Sequence, residues 1–206
     1  MSCCPSDQKF DGSSVAYRRA LWAVIFINLV MFVVEISAGF ASGSQSLKAD
    51  ALDFAGDTMT YTISLLVIGS ALAVRAKAAL FKGGLLFAIA IAVLSMTLLR
   101  AFSGEPPVAE TMGIVGFAAL LANAISVLIL LKWRDGDANV RSVWLCSRND
   151  AIGNVGVMIA GGLVALTGSA WPDLILAFVL AGIFTRSACS ICSQALSELC
   201  DNPGVA

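Results

Sequence analysis

Apolar residues run along this chain in six long blocks separated by short joints. The blocks predict helices over about Tyr17 to Phe40, Ser46 to Val74, Ala78 to Phe102, Glu110 to Trp133, Val140 to Thr167 and Trp171 to Leu199. Gly39, Gly43, Pro106, Pro107, Gly136, Gly168 and Pro172 punctuate them, as breakers do. Between Arg19 and Lys48 the only charge is Glu35, and none occurs between Lys82 and Arg100 or from Gly113 to Leu131. About 20 such residues span a hydrocarbon core. Only helices and closed barrels satisfy their backbone in lipid, and no period-2 alternation supports a barrel. The pattern predicts an all-α integral membrane protein with six transmembrane helices.

Composition agrees. Of the 206 residues, 58% are hydrophobic and 13% charged, against roughly 25% charged in soluble domains. A net charge of −1 leaves nothing basic enough for nucleic acid. The polar first 16 residues precede an apolar run too long for a cleaved signal peptide. The organisation expected is therefore a tail over 1–16, a membrane domain over 17–199 and a short tail over 200–206. Lys9, Arg18, Arg19, Arg75, Lys77, Lys82, Lys132, Arg134, Arg141 and Arg186 fall on one side and Arg100 on the other, with Lys48 and Arg148 beside the acids inside the spans. Positive loops face the cytoplasm, so both termini are expected there. Trp22, Trp133, Trp144 and Trp171 fall near predicted span ends, where interfacial belts form.

Against this background stand four acids. Asp50, Asp53 and Asp57 open the second block, and Asp150 lies in the fifth, four residues after Cys146. Carboxylates are costly in a bilayer and mark ion, proton or substrate paths. Asp53 and Asp57 share a helix face, with Asp50 on the same side. Cys146, Asp150 and Asn154 repeat the spacing. Two such helices facing each other make a four-ligand cage of Asp53, Asp57, Cys146 and Asp150, suited to a tetrahedral divalent cation. Close carboxylates do not both stay ionised unaided, so metal entry would expel protons. Asp50, Asn154, Asn28 and Glu35 are accessory candidates. The alternative for Asp50 and Asp173 is a dipole or capping role near a helix N-terminus. For Cys146 it is that of a small buried hydrophobe, and for Asn28 and Asn154 an interhelical bridge. Lys48 and Arg148 each lie two residues from an Asp; the spacing leaves their partners open.

The run Ser46-Leu47-Lys48-Ala49-Asp50-Ala51-Leu52-Asp53-Phe54-Ala55-Gly56-Asp57 resembles the second transmembrane helix of the cation diffusion facilitator family, where Ser-Leu, Ala-Asp-Ala and His/Asp-x-x-x-Asp occur. Cys146 to Val157 resembles its fifth helix, normally His-x-x-x-Asp followed by Ala-Leu-Gly-Ser. Asn28, Glu35 and Gly39 are similar to the first-helix pattern, Asn123 to the fourth, and Trp171-Pro172-Asp173 to the start of the sixth. The resemblance covers about Ala16 to Leu199. It implies export of divalent metal, usually zinc, in exchange for protons. It implies a homodimer with alternating access around a site between helices two and five, here Asp53, Asp57, Cys146 and Asp150. Zinc or cadmium and protons are then transported species, with no cofactor, and the protein is not an enzyme. The expected location is a bacterial inner membrane.

Three departures bear on this. The family's His positions hold Asp53 and Cys146, and the chain has no His. The joint Arg134 to Asn139 is too short for the family's His-rich loop. The chain reads as a truncated member lacking the C-terminal cytoplasmic domain, so a dimer is expected through the membrane helices. A thiolate at Cys146 favours zinc and cadmium, whereas carboxylates alone favour manganese or iron. Cys189 and Cys192, three apart, suggest a soft-metal relay, and Cys3 and Cys4 a collecting point. Small packing residues and a tail are the plainer reading. Two rival functions remain at this stage. One is a metal sensor or partner-binding protein that transports nothing. The other is a phosphatidyl-alcohol transferase, whose motif begins like Asp50 to Asp53 but needs Gly where Phe54 stands.

Overall fold

A computed structural model describes residues 14–70, 72–102, 105–135 and 138–201. Lys9, Cys3 and Cys4 lie outside these residues. Helix α1 spans Val15–Ser42, α2 Gln45–Leu66, α3 Leu72–Ala101, α4 Ala109–Leu130, α5 Ala138–Thr167 and α6 Trp171–Asp201, with a 3-10 turn at Leu131–Trp133. No strand occurs among the described residues. Six helices place the start of α1 and the end of α6 at one end of the bundle, called here the termini end.

The expected six helices are present, with one joint displaced. The second helix ends at Leu66 rather than Val74, and the third begins at Leu72 rather than Ala78. The turn uses Gly69 at φ 81° and a bond from the Ser70 amide to the Val67 carbonyl at 3.0 Å. Hydropathy missed it because the apolar run continues across it: Leu65 and Ile68 still pack onto the core. The α1–α2 corner follows the sequence signal. Gly43 takes the left-handed conformation at φ 75°, and the Ser44 hydroxyl caps α2 by accepting from the Leu47 amide at 3.1 Å.

Five helices are long and apolar enough to cross a membrane by themselves. The sixth, α2, carries Lys48, Asp50, Asp53 and Asp57. Its polar face is tolerable in lipid only when turned toward other helices. The bundle does this. Helices α1 and α2 pair closely, as do α4 and α5, and α1 lies against α4. Helices α3 and α6 form the most extensive pair, while α2 and α5 meet only lightly. Small residues allow the close approaches, as between helices in lipid generally. A Cβ on Gly161 would stand 3.0 Å from Met112 Cβ, and one on Gly116 3.2 Å from Val157.

Apolar clusters fill the bundle beside the acids, where Phe54 packs with Met31, Ala119 and Ala122 and Ala49 with Val93, Leu180 and Phe184, and also at both ends. Tyr17, Leu21, Val24, Tyr61, Leu130 and Val143 pack at the termini end, with the Trp133 ring edge-on to Tyr17 at 5.6 Å. Leu47, Met112, Val157, Ala160 and Val164 pack toward the far end. The sequence-marked acids on α2 and α5 lie between the two end clusters. Trp22 and Trp171 are exposed, as interfacial anchors would be.

Helices α2 and α6 are joined by one carboxylate as well as by apolar packing. Asp173, in the first turn of α6, is 1% exposed and accepts from the Ser44 hydroxyl (2.6 Å), the Gln45 amide (2.7 Å), the Ser46 amide (3.0 Å) and the Ser46 hydroxyl (2.6 Å). The expected dipole role of Asp173 is thus exercised on the N-terminus of α2, a different helix. Replacing Asp173 by Ala strands these donors. Charge-assisted bonds of this kind contribute about 1.5–3 kcal/mol each. The Asp173→Ala protein should therefore lose several degrees or more of thermal stability in detergent, read by circular dichroism, whereas an exposed control such as Glu105→Ala should not.

Candidate metal site

The acids on α2 and α5 meet between two helices that pack only lightly together. Asp53, Asp57 and Asp150 are half-buried, and Cys146 is exposed. The Asp150 carboxyl faces both Asp53 and Asp57 across the helix gap. The Cys146 thiol lies within electrostatic reach of all three. The four sequence-predicted ligands therefore share one region. They do not form a finished cage: no three Cys, Asp or Glu side chains among the described residues converge closely enough to hold a metal ion. Like charges repel, and two lightly packed helices leave them room to separate.

Of the accessory candidates, Asp50 is 4% exposed, lies against the fully buried Glu35 on α1 and stays within electrostatic reach of Asp53. Asn28, Asn123 and Asn154 are also buried. Neither side-chain atom of Asn28 or Asn154 has a hydrogen-bond partner among the described residues. The bridging role open to these two is not taken up. Cys192 is half-buried with its sulfur against Gly83 of α3, and Cys189 is exposed.

The basic residues find their partners here. Lys48 lies over the Phe40 ring at 4.7 Å, its stem against Gly39, with Arg100 and Asp173 as its charged neighbours. Arg148 lies over the Trp144 ring at 5.3 Å. Both contacts have the geometry of cation–π pairs.

Two site residues escaped the sequence reading. Tyr61, 2% exposed, donates a hydrogen bond from its hydroxyl to Asp57 Oδ2, and the Tyr61 hydroxyl oxygen lies 3.4 Å from the Val143 carbonyl oxygen on α5. Lys82 of α3 donates to the Ser64 hydroxyl at 2.7 Å and is within electrostatic reach of Asp57 and Cys146. Asp57, Tyr61 and Ser64 lie at i, i+4 and i+7, one face of α2. Tyr61 was legible as the next residue on the Asp57 stripe. Lys82 was read only as a flanking positive charge, since helix-to-helix register is absent from a single sequence.

The sequence profile described as the cation efflux transmembrane domain matches residues 21–200. The chain belongs to the cation efflux, or cation diffusion facilitator, family. It is 30% identical over 181 residues to the metal cation efflux system protein CzcD of Cupriavidus metallidurans, covering 81% of this chain and 56% of that one. It is 30% identical over 195 residues to the zinc transporter ZitB of Yersinia pestis, covering 88% and 62%. With the cadmium, cobalt and zinc/H+–K+ antiporter of Bacillus subtilis identity is 25% over 199 residues, covering 85% and 62%. The chain thus spans a little under two thirds of the length of these relatives. Its apolar helices and its family make it a multi-pass integral protein of the inner membrane.

Tyr61 gives a test of the site's geometry. Tyr61→Phe keeps the ring in its layer and removes one hydroxyl, a loss of roughly 1 kcal/mol. With the hydroxyl's weak contact to the α5 backbone gone, Cys146 should react several-fold faster with a maleimide in a variant whose other cysteines are Ser. Equal rates would show that the hydroxyl does not hold the two helices.

Proposed function

We propose that this member of the family exports divalent metal, zinc foremost and cadmium next, in exchange for protons. The observation that carries the reading is the placement of Asp53, Asp57 and Asp150, with Cys146 beside them, on two facing helices that are only lightly packed together. Carboxylates in such a place are expensive without a function. The names of the relatives support a metal substrate, and the Bacillus protein's name supports proton coupling.

In this reading the ion enters from the cytoplasm, on the termini side, and binds Asp53, Asp57, Asp150 and Cys146. The thiol must give up its proton to become a ligand. The carboxyls give up whatever protons they share. Tyr61 and Lys82 are displaced from Asp57 as the metal arrives, which exchanges a hydrogen bond and a nearby cation for a coordinated one. The light α2–α5 contact lets these helices draw together around the ion and separate when it leaves, an alternating-access cycle. We take the assembly to be a homodimer formed through membrane helices. Cys189 and Cys192 need take no part in the cycle.

Reconstituted protein should move Zn2+ or Cd2+ into vesicles against a proton gradient. Asp57→Ala and Asp150→Ala should each abolish flux while leaving helix content intact, with Asp53→Ala nearly as severe. Apparent affinity should weaken as pH falls, because protons and metal compete for the same oxygens. Binding without flux above empty liposomes would favour a sensor over a transporter. Wild-type affinity in Asp57→Ala or Asp150→Ala would place the ion elsewhere.

Metal choice tests Cys146 separately. Cys146→Ser should weaken cadmium more than zinc, since the softer ion gains more from sulfur. Cys146→His should favour zinc, for which imidazole is a natural ligand. Calorimetric titration of wild type and the Ser, His and Ala variants with both ions decides it. An unchanged ranking would remove Cys146 from the coordination sphere.

A further inference from the structure

Glu35 is fully buried on α1, and neither of its carboxylate oxygens meets a hydrogen-bond donor among the described residues. It faces another acid. The Asp50 carboxyl of α2 lies against it, 4% exposed, and Asp50 Oδ2 also lacks a donor. The ion pairs among the described residues, Arg100–Glu105 and Arg134–Asp135, lie elsewhere. Two buried carboxylates in contact require a positive charge between them, a proton or a cation.

A third group selects between the two. Asn154 of α5 is fully buried, and neither its oxygen nor its nitrogen has a partner among the described residues. Helices α2 and α5 run antiparallel, and two contacts fix their register. Leu47 packs in one cluster with Val157, and Asp53 meets Asp150. Midway between them on α2 is Asp50, and midway on α5 is Asn154. Asn154 therefore stands at the height of Asp50, one turn from Asp150 on the α5 face that Asp150 presents to α2. A shared proton would occupy one carboxyl pair and leave the amide unsatisfied. A cation can take all three groups.

We propose that Glu35, Asp50 and Asn154 form a second divalent-cation station beside the main site. It would be reached by the ion on its way toward the far end of the bundle. The proposal rests on the transport reading above for its direction, but not for its ligands. Its donors are two carboxylates and an amide oxygen, a hard set that suits Mn2+ better than the sulfur-containing main site does. Asp50 is three residues from Asp53, about 4.5 Å along the helix axis. Two divalent ions so close repel strongly, so the stations are filled in turn. An ion leaving sulfur for oxygen alone is held less firmly as it departs.

The test uses Mn2+ and electron paramagnetic resonance on purified full-length chain. The Asp57→Asn/Asp150→Asn protein, its main site disabled, should still bind one Mn2+. Adding Glu35→Gln or, independently, Asp50→Asn should weaken that binding at least about tenfold, as the loss of an adjacent unit charge requires. Asn154→Ala should weaken it less. If Mn2+ binds wild type but not Asp57→Asn/Asp150→Asn, the Glu35–Asp50 pair shares a proton and the proposal is overturned. Equal Mn2+ binding with and without Glu35→Gln overturns it as well. Wild-type zinc flux in Asp57→Asn/Asp150→Asn would instead defeat the main-site reading, and the effect of Glu35→Gln on Mn2+ binding would still decide this one.

Discussion

The contact between Asp173 and the first turn of α2 is the constraint on which the rest of the arrangement depends. A helix N-terminus leaves amides without partners and carries a partial positive charge. Here that end is buried beside α6, where water does not reach it. One carboxylate from α6 supplies the missing acceptors for Gln45 and Ser46, and takes both flanking hydroxyls as well. Since α6 is packed extensively against α3, the latch fixes the most polar helix of the bundle to its most extensive helix pair. It also sets the height of α2. A shift of one turn would carry Asp50, Asp53 and Asp57 out of line with Glu35 and Asp150.

With its far end fixed, α2 can bring its charged face inward and still cross the bilayer. The interior then holds an unusual excess of polar groups. Asn28, Glu35, Asp50 and Asn154 are buried with atoms that meet no donor or acceptor among the described residues. In a merely structural bundle such groups would be removed, because each unmet atom costs about 1–3 kcal/mol. Asp50 and Asn154 lie on α2 and α5, whose mutual packing is light, and Asn28 and Glu35 lie on α1. The polar groups are set among apolar packing at their own level, and beside them the α2–α5 contact is light. That is the distribution a bundle needs if an ion is to pass and two helices are to shift.

Lys82 and Tyr61 add a further constraint. Both approach Asp57 from the termini side, one through its charge and the other through a hydrogen bond. They offset the negative charge of the site at the side from which, in the transport reading, an ion arrives. Lys48 lies over the Phe40 ring and Arg148 over the Trp144 ring.

Much of this was written in the chain. Long apolar runs left the backbone no option but helix in lipid, so the six helices and their approximate bounds followed from hydropathy alone. The i, i+4 spacing of Asp53 and Asp57, and of Cys146 and Asp150, put each pair on one helix face whatever the partner. The family pattern followed from the order of those motifs. Single-chain periodicity carries no information about which helices meet or at what height. Tertiary structure decided that Asp173 caps α2 rather than its own helix, that Asp50 lies against Glu35, and that Asn154 stands at the height of Asp50. It decided that Tyr61 and Lys82 come to Asp57, and that the chain turns at Gly69 inside an apolar run. Each of these depends on the register between helices. That register is set by small-residue contacts and by one buried carboxylate, interactions between residues far apart in sequence whose pairing no local pattern encodes.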